Sequence, residues 1–193
     1  CHISEISQFC KKNKLVLIED LAHSVGTVYE DQSEAGTVGD FTILSFSQDK
    51  IIDGVSGGAL ICKKTQLNIE NGEKISATTQ LKDRIYPMLT LFIRNTYDFG
   101  AGKIIHLFFK SLNLLSKPVE YKNSKTFYSL PNWYCALIKS SFDRSKEDIN
   151  HRKSIANIYA KDLDKKILSE KVCKNIENSS NMRFQIFVKN RQS

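Results

Sequence analysis

Three short, mainly apolar runs, Leu15–Ile18, Phe41–Phe46 and Ala59–Cys62, follow one another closely and constrain the fold more than any other feature. Runs of this length suit buried strands better than helices, which need ten or more residues. Ahead of them Ile3, Ile6, Phe9 and Cys10 recur at helical spacing, and Asn13-Lys14 ends the pattern. A helix feeding short strands predicts an α/β sheet, in which ligands bind beyond the carboxyl ends of the strands. Leu15–Ile18 is apolar throughout and is expected to be covered on both faces. It stops at Glu19-Asp20, which puts two carboxylates at that ligand-binding end.

Further along, a helix is expected around Thr78–Ile85, then an apolar stretch from Met88 to Leu115 broken by Arg94, Asp98, Gly100, Lys103, His106 and Lys110. Its apolar segments are too short to cross a bilayer, so buried or partner-packed helices are expected ahead of the alternative, an interfacial membrane helix, and membrane contact is not expected. Pro118 to Lys125 reads as a linker, the region from Pro131 as a long helix, and Arg183–Val188 as a strand after the loop Asn178–Asn181. The chain does not begin with Met, and both ends fall beside predicted elements, so a piece of a longer protein is expected.

The net charge of +7 is concentrated between Lys146 and Arg191, where basic residues alternate with helix formers and no aromatic stacking pattern accompanies them. A solvated basic face is therefore expected, and nucleic-acid binding is not. Five cysteines without a C-x-x-C pair argue against a disulfide framework or a zinc site and for a reducing cytoplasm.

Four motifs carry chemistry. They are Ile18-Glu-Asp-Leu-Ala-His-Ser-Val-Gly26, Gly36-Thr-Val-Gly-Asp40, Ser45-Phe-Ser-Gln-Asp-Lys50 and the pair Gly57-Gly58. A lone lysine is ordinarily a solvated charge, but Lys50 stands five residues after Ser45, between a strand and a glycine turn. In kind and order these motifs resemble the DegT/DnrJ/StrS group of pyridoxal-phosphate-dependent sugar aminotransferases, which show E-D-x-A-[QH], Gly-x-x-Gly-Asp, S-F-x-x-x-K and a Gly-Gly pair. The resemblance is strong over 15–62 and weaker over 126–166, where Leu130-Pro-Asn-Trp-Tyr-Cys-Ala-Leu137, His151-Arg152 and Ile158-Tyr159 look like the family's long helix.

The resemblance implies pyridoxal 5'-phosphate as cofactor and Lys50 as both the catalytic and the Schiff-base lysine. It implies Asp20 at the cofactor's ring nitrogen, His23 near its 3-hydroxyl and Ser45 at its phosphate. The chemistry agrees: a lysine amine is the nucleophile, and a carboxylate keeps the pyridine nitrogen protonated. Two features depart from the family. Ser47 stands where many relatives have His, and Phe127-Tyr-Ser129 stands where many carry Asn-x-Arg.

The implied fold is α/β, a partial fold-type-I large domain followed by a long helix and the start of a small α+β domain. The expected division is 1–86 for the cofactor-binding part, 87–125 for an apolar helical insertion and linker, and 126–193 for the long helix and small domain. The implied reaction moves an amino group, with glutamate as donor, to a nucleotide-linked keto-sugar in polysaccharide or amino-sugar biosynthesis. A homodimer is implied at full length, and this chain alone is expected to be inactive. The alternative is a catalytically incompetent fragment or interaction module of the same fold.

Overall fold

A computed structural model describes residues 2–63, 72–116 and 128–188. Helix α1, Ile3–Lys12, turns Ile3 and Ser7 inward and carries Glu5 in its first turn and Lys11 and Lys12 in its last, signs that suit the helix dipole. Strands β1 (Ile18–Asp20), β2 (Phe41–Ser45) and β3 (Gly58–Cys62) form one sheet in that order. β1 runs parallel to β2 and β3 antiparallel to it, so Asp20, Ser45 and Gly58 all lie at one end of the sheet, Ser45 directly opposite Gly58.

The first strand begins later than its apolar run. Leu17 N–H donates to Asp40 Oδ2 at 3.0 Å, and the Asp40 and Phe41 amides donate to the Leu17 carbonyl at 2.8 and 3.2 Å. Those bonds tie Leu17 to the turn before β2, and ladder pairing starts at Ile18. Nor is the run covered on both faces, since Leu15, Val16 and Ile18 are all exposed. Alternation decides instead: Glu19 is buried between exposed Ile18 and Asp20.

Beyond the sheet, β4 (Glu73–Lys74) pairs in parallel with β5 (Tyr128–Ser129). Helix α2, Ala77–Asn95, is capped by Ser76 Oγ, which accepts from the Thr79 amide, and it continues through Pro87 and past position 86. Gly100, with φ 82°, turns the chain into α3, Ala101–Ser111, and Gly102 lies so close to the Ile93 carbonyl that no side chain would fit. Helix α4, Asn132–Asp162, is followed by a short 3-10 turn and α5, Glu170–Lys174. Among the described residues, the strand expected at Arg183–Val188 is reduced to one bridge, Ile186 with Leu168. The expected linker, 118–125, lies outside the described residues.

The core that matters for the site is formed by Phe46, Ile51 and Ile52, with Ile138 and Ile149 of α4, Val25 and Met182 packed against them. Burying a side chain of this size stabilises by about 1.5–3 kcal/mol. Ile51 and Ile52 directly follow Lys50, so the same packing that makes the core fixes the lysine loop.

Candidate active site

Neighbours in sequence, Glu19 and Asp20 leave β1 on opposite faces. The Glu19 carboxylate accepts from the amides of Gly36 (2.7 Å), Val38 (2.8 Å) and Gly39 and from the Tyr29 hydroxyl (2.8 Å). Burial pushes this carboxyl up, but the donors outweigh it and hold Glu19 below the usual glutamate range. The same contact and burial push the Tyr29 phenol well above its ordinary value. Asp20 stays exposed, its Oδ1 accepting from the Ala22 amide at 2.9 Å. One acid builds the Gly36–Gly39 turn; the other caps the turn after β1 and stays open to solvent.

Past β1 the chain turns and exposes His23, whose Nε2 lies 2.8 Å from Lys50 Nζ. His23 is anchored from behind, because buried Ser180 donates through Oγ to the His23 carbonyl at 3.2 Å. At the end of β2 the hydroxyls of Ser45 and Ser47 pair at 3.1 Å. Lys50 follows Asp49, which has φ 66°, and its amide donates to the Ser47 carbonyl at 3.3 Å. Gly57, φ 109°, closes the loop by accepting from the Phe46 amide at 2.9 Å. A side chain on Gly58 would meet the Leu44 carbonyl at 2.7 Å, so the glycine pair is required where β3 starts.

The lysine loop is held by a second set of contacts. Gln48 Nε2 donates to Ser116 Oγ at 2.9 Å, Ser116 Oγ donates to Asp83 Oδ1 at 2.5 Å, and Tyr134 Oη donates to Asp83 Oδ2 at 2.6 Å. Asp83 and Tyr134 are buried, which pushes the Tyr134 phenol far up beside the carboxylate. From α4, Ser141 Oγ accepts the Asp53 amide at 3.0 Å, and Ile138 packs where any side chain on Gly54 would have to go. Burial also raises the Asp53 carboxyl.

On one side of Lys50 opens a cleft of about 1070 Å³ between α2, α4 and the loop. Arg94, Arg144, Arg152 and His151 line it with Lys50, against Asp49, Asp53 and Asp148. The three guanidinium groups, set against three carboxylates, offer planar donors that an anionic, phosphate-bearing ligand can engage.

Of the four residues singled out from sequence, Lys50 and His23 meet directly, and Asp20 and Ser45 end adjacent strands at the same edge. Sequence reasoning missed Ser180, Asp83 and Ser116. They are a loop serine, a helix aspartate and a serine far from any motif, and only tertiary contacts mark them. Glu19's role had only half a signal: the Gly36–Gly39 turn offers amides that can converge on an anion, but β1 and β2 must pair before Glu19 reaches them.

Residues 1–78 match the sequence profile of the DegT/DnrJ/EryC1/StrS aminotransferase family. EpsN of Bacillus subtilis, which carries the name of a pyridoxal phosphate-dependent aminotransferase, is 36% identical over 75 residues, 39% of this chain and 19% of EpsN. A UDP-4-amino-4,6-dideoxy-N-acetyl-beta-L-altrosamine transaminase of Campylobacter jejuni is 24% identical over 163 residues, 84% of this chain and 35% of the transaminase. The crystal structure of a DegT DnrJ EryC1 StrS aminotransferase from Brucella abortus superimposes on all of this chain with TM-score 0.59 and 16% identity, over 42% of its own length. The chain thus spans well under half the length of these relatives, and its α/β fold is part of theirs. The likeness to the DegT/DnrJ/EryC1/StrS aminotransferase family thus rests, in sequence, on residues 1–78.

Proposed function

We propose that these residues form one part of the active site of a pyridoxal-phosphate-dependent enzyme that transfers an amino group from glutamate to a nucleotide-linked keto-sugar. The observation that carries the reading is the 2.8 Å approach of Lys50 Nζ to His23 Nε2 at the strand ends where Asp20 and Ser45 also lie. The residues present fit the cofactor: an amine on a rigid loop, an outward carboxylate and a pair of hydroxyls. Pyridoxal phosphate, when bound, supplies an aldehyde that captures amines and a ring that withdraws electrons.

Asp20 holds the proton on the ring nitrogen, and Ser45, partnered by Ser47, takes a phosphate oxygen. Lys50 Nζ would hold the cofactor and, once the donor's amine has displaced it, would be free to take the proton from the donor's α-carbon. His23 orients the Lys50 amine. The arginines of the cleft take the phosphates of the sugar nucleotide. We assign 1–86 to the cofactor-binding part, 87–125 to an apolar helical insertion and linker, and 126–193 to the long helix and the start of the small domain, the whole enzyme working as a homodimer. The described cysteines Cys10, Cys62, Cys135 and Cys173 are free thiols, which suits a cytoplasmic enzyme.

Borohydride reduction of the whole protein loaded with pyridoxal phosphate, followed by peptide mapping, tests the reading. The pyridoxyl group is expected on Lys50, and its recovery on another lysine would overturn the assignment.

A further inference from the structure

Helices α2 and α3 form a hairpin whose outward surface is unusually apolar. Met88 is 71% exposed, Ile104 70% and Phe99, at the tip, 88%. On α3 the residues Ile104, Leu107 and Phe108 share one face at i, i+3 and i+4, and all three are exposed. Lys103 and Lys110, seven residues apart, border that face, and Lys103 Nζ sits 5.3 Å from the centre of the Tyr97 ring at the tip. From Phe99 to Ser116 there is no acidic residue at all.

The charge says what covers the face. From Ala77 to Leu115 the basic residues are Lys82, Arg84, Arg94, Lys103 and Lys110, and the acids are Asp83 and Asp98. Asp83 is buried on Tyr134 and Ser116, so it offers the outer surface nothing. A second copy of the chain would set the same positive surplus against this one. An anionic lipid surface supplies the opposite sign together with an apolar interior. No helix among the described residues is long and apolar enough to cross a membrane. A short amphipathic helix with lysines at the border and aromatics at its end lies in the interface, the lysines reaching up to the headgroups.

We propose that the α2–α3 hairpin docks the protein on an anionic lipid bilayer, with Tyr97, Phe99, Ile104, Leu107 and Phe108 entering the headgroup boundary and Lys103 and Lys110 meeting lipid phosphates. This departs from the sequence expectation of no membrane contact. It also has a geometric sequel, because Arg94 of the same hairpin lines the cleft beside Lys50, so docking sets that cleft close to the lipid surface.

Co-sedimentation of the whole protein with phosphatidylcholine vesicles, with and without roughly one part in three phosphatidylglycerol, provides the test. It needs no cofactor, so its failure leaves the aminotransferase reading untouched. Binding is expected to the phosphatidylglycerol vesicles, to weaken with added salt, and to be weak or absent on phosphatidylcholine alone. Lys103→Glu with Lys110→Glu should lower binding by at least about fivefold for each lysine. Phe99→Ser with Phe108→Ser should abolish it while circular dichroism stays unchanged, both side chains being exposed. Equal binding to the two vesicle types would overturn the proposal. So would binding indifferent to both double variants, or a lipid-free dimer in sedimentation that Phe99→Ser with Phe108→Ser dissociates.

Discussion

Lys50 Nζ and His23 Nε2 lie 2.8 Å apart although 27 positions separate them in the chain, one on the loop after β2 and the other on the turn after β1. The pairing links two turns that the parallel register of β1 and β2 already brings to one edge. His23→Ala removes the partner and leaves the lysine amine free to rotate. In the whole enzyme, steady-state transamination by this variant should fall by about tenfold to a hundredfold, or about 1.4–2.7 kcal/mol of barrier. His23→Gln keeps a hydrogen-bonding atom and should recover part of the loss. Wild-type turnover in His23→Ala would remove the histidine from the site.

Glu19 and Asp20 should separate stability from activity. Glu19→Ala strands one buried and two half-buried amides and a tyrosine hydroxyl, costing about 3 kcal/mol in urea denaturation. Asp20→Ala, at an exposed position, should cost about 1 kcal/mol or less while removing most of the activity. Matching effects of the two substitutions on both readouts would contradict the division of labour.

The same glutamate makes stability pH-dependent. Its folded pKa is depressed, so its contribution is complete above the unfolded value near 4.5 and disappears as pH falls through the lower folded value. Urea midpoints measured into the acid range should fall more steeply for the wild type than for Glu19→Gln, which has no carboxylate to titrate. Parallel curves would mean that other carboxylates carry the acid sensitivity.

Asp83 is a support of the lysine loop reached through two side chains. Asp83→Ala should cost about 3 kcal/mol by leaving the Tyr134 hydroxyl unpaired in the core. Hydrogen exchange should rise in the Gln48–Val55 loop, because Ser116 loses its acceptor and Gln48 a fixed partner. Exchange in β2 should stay as it was. Asp83→Asn, which retains one acceptor, should lie between the two.

How much of this was legible in sequence depends on the range of the interactions. The helix at Ile3–Lys12 and the strands β2 and β3 follow from local periodicity, and their expected limits match within a residue or two. β1 slipped by three residues because Asp40, distant in sequence, claims Leu17. The two helical segments read on either side of Pro87 are one helix, since a proline removes a single backbone donor without forcing a break. The Arg183–Val188 run has strand composition but, among the described residues, one bridge partner, Leu168. At the candidate site, Lys50 and His23 stand inside motifs and meet, whereas Ser180, Ser116 and Asp83 act through contacts that no spacing rule encodes.

The bond from Ser180 Oγ to the His23 carbonyl spans 157 positions. A ribosome adds about 5–20 residues each second, so His23 is made about 8–30 s before the serine that holds it. Throughout that interval the nascent chain carries the turn after β1 without its rear support. Slow codons or stalling ahead of Ser180 would prolong this interval, and a chaperone that shelters the early sheet would matter most within it.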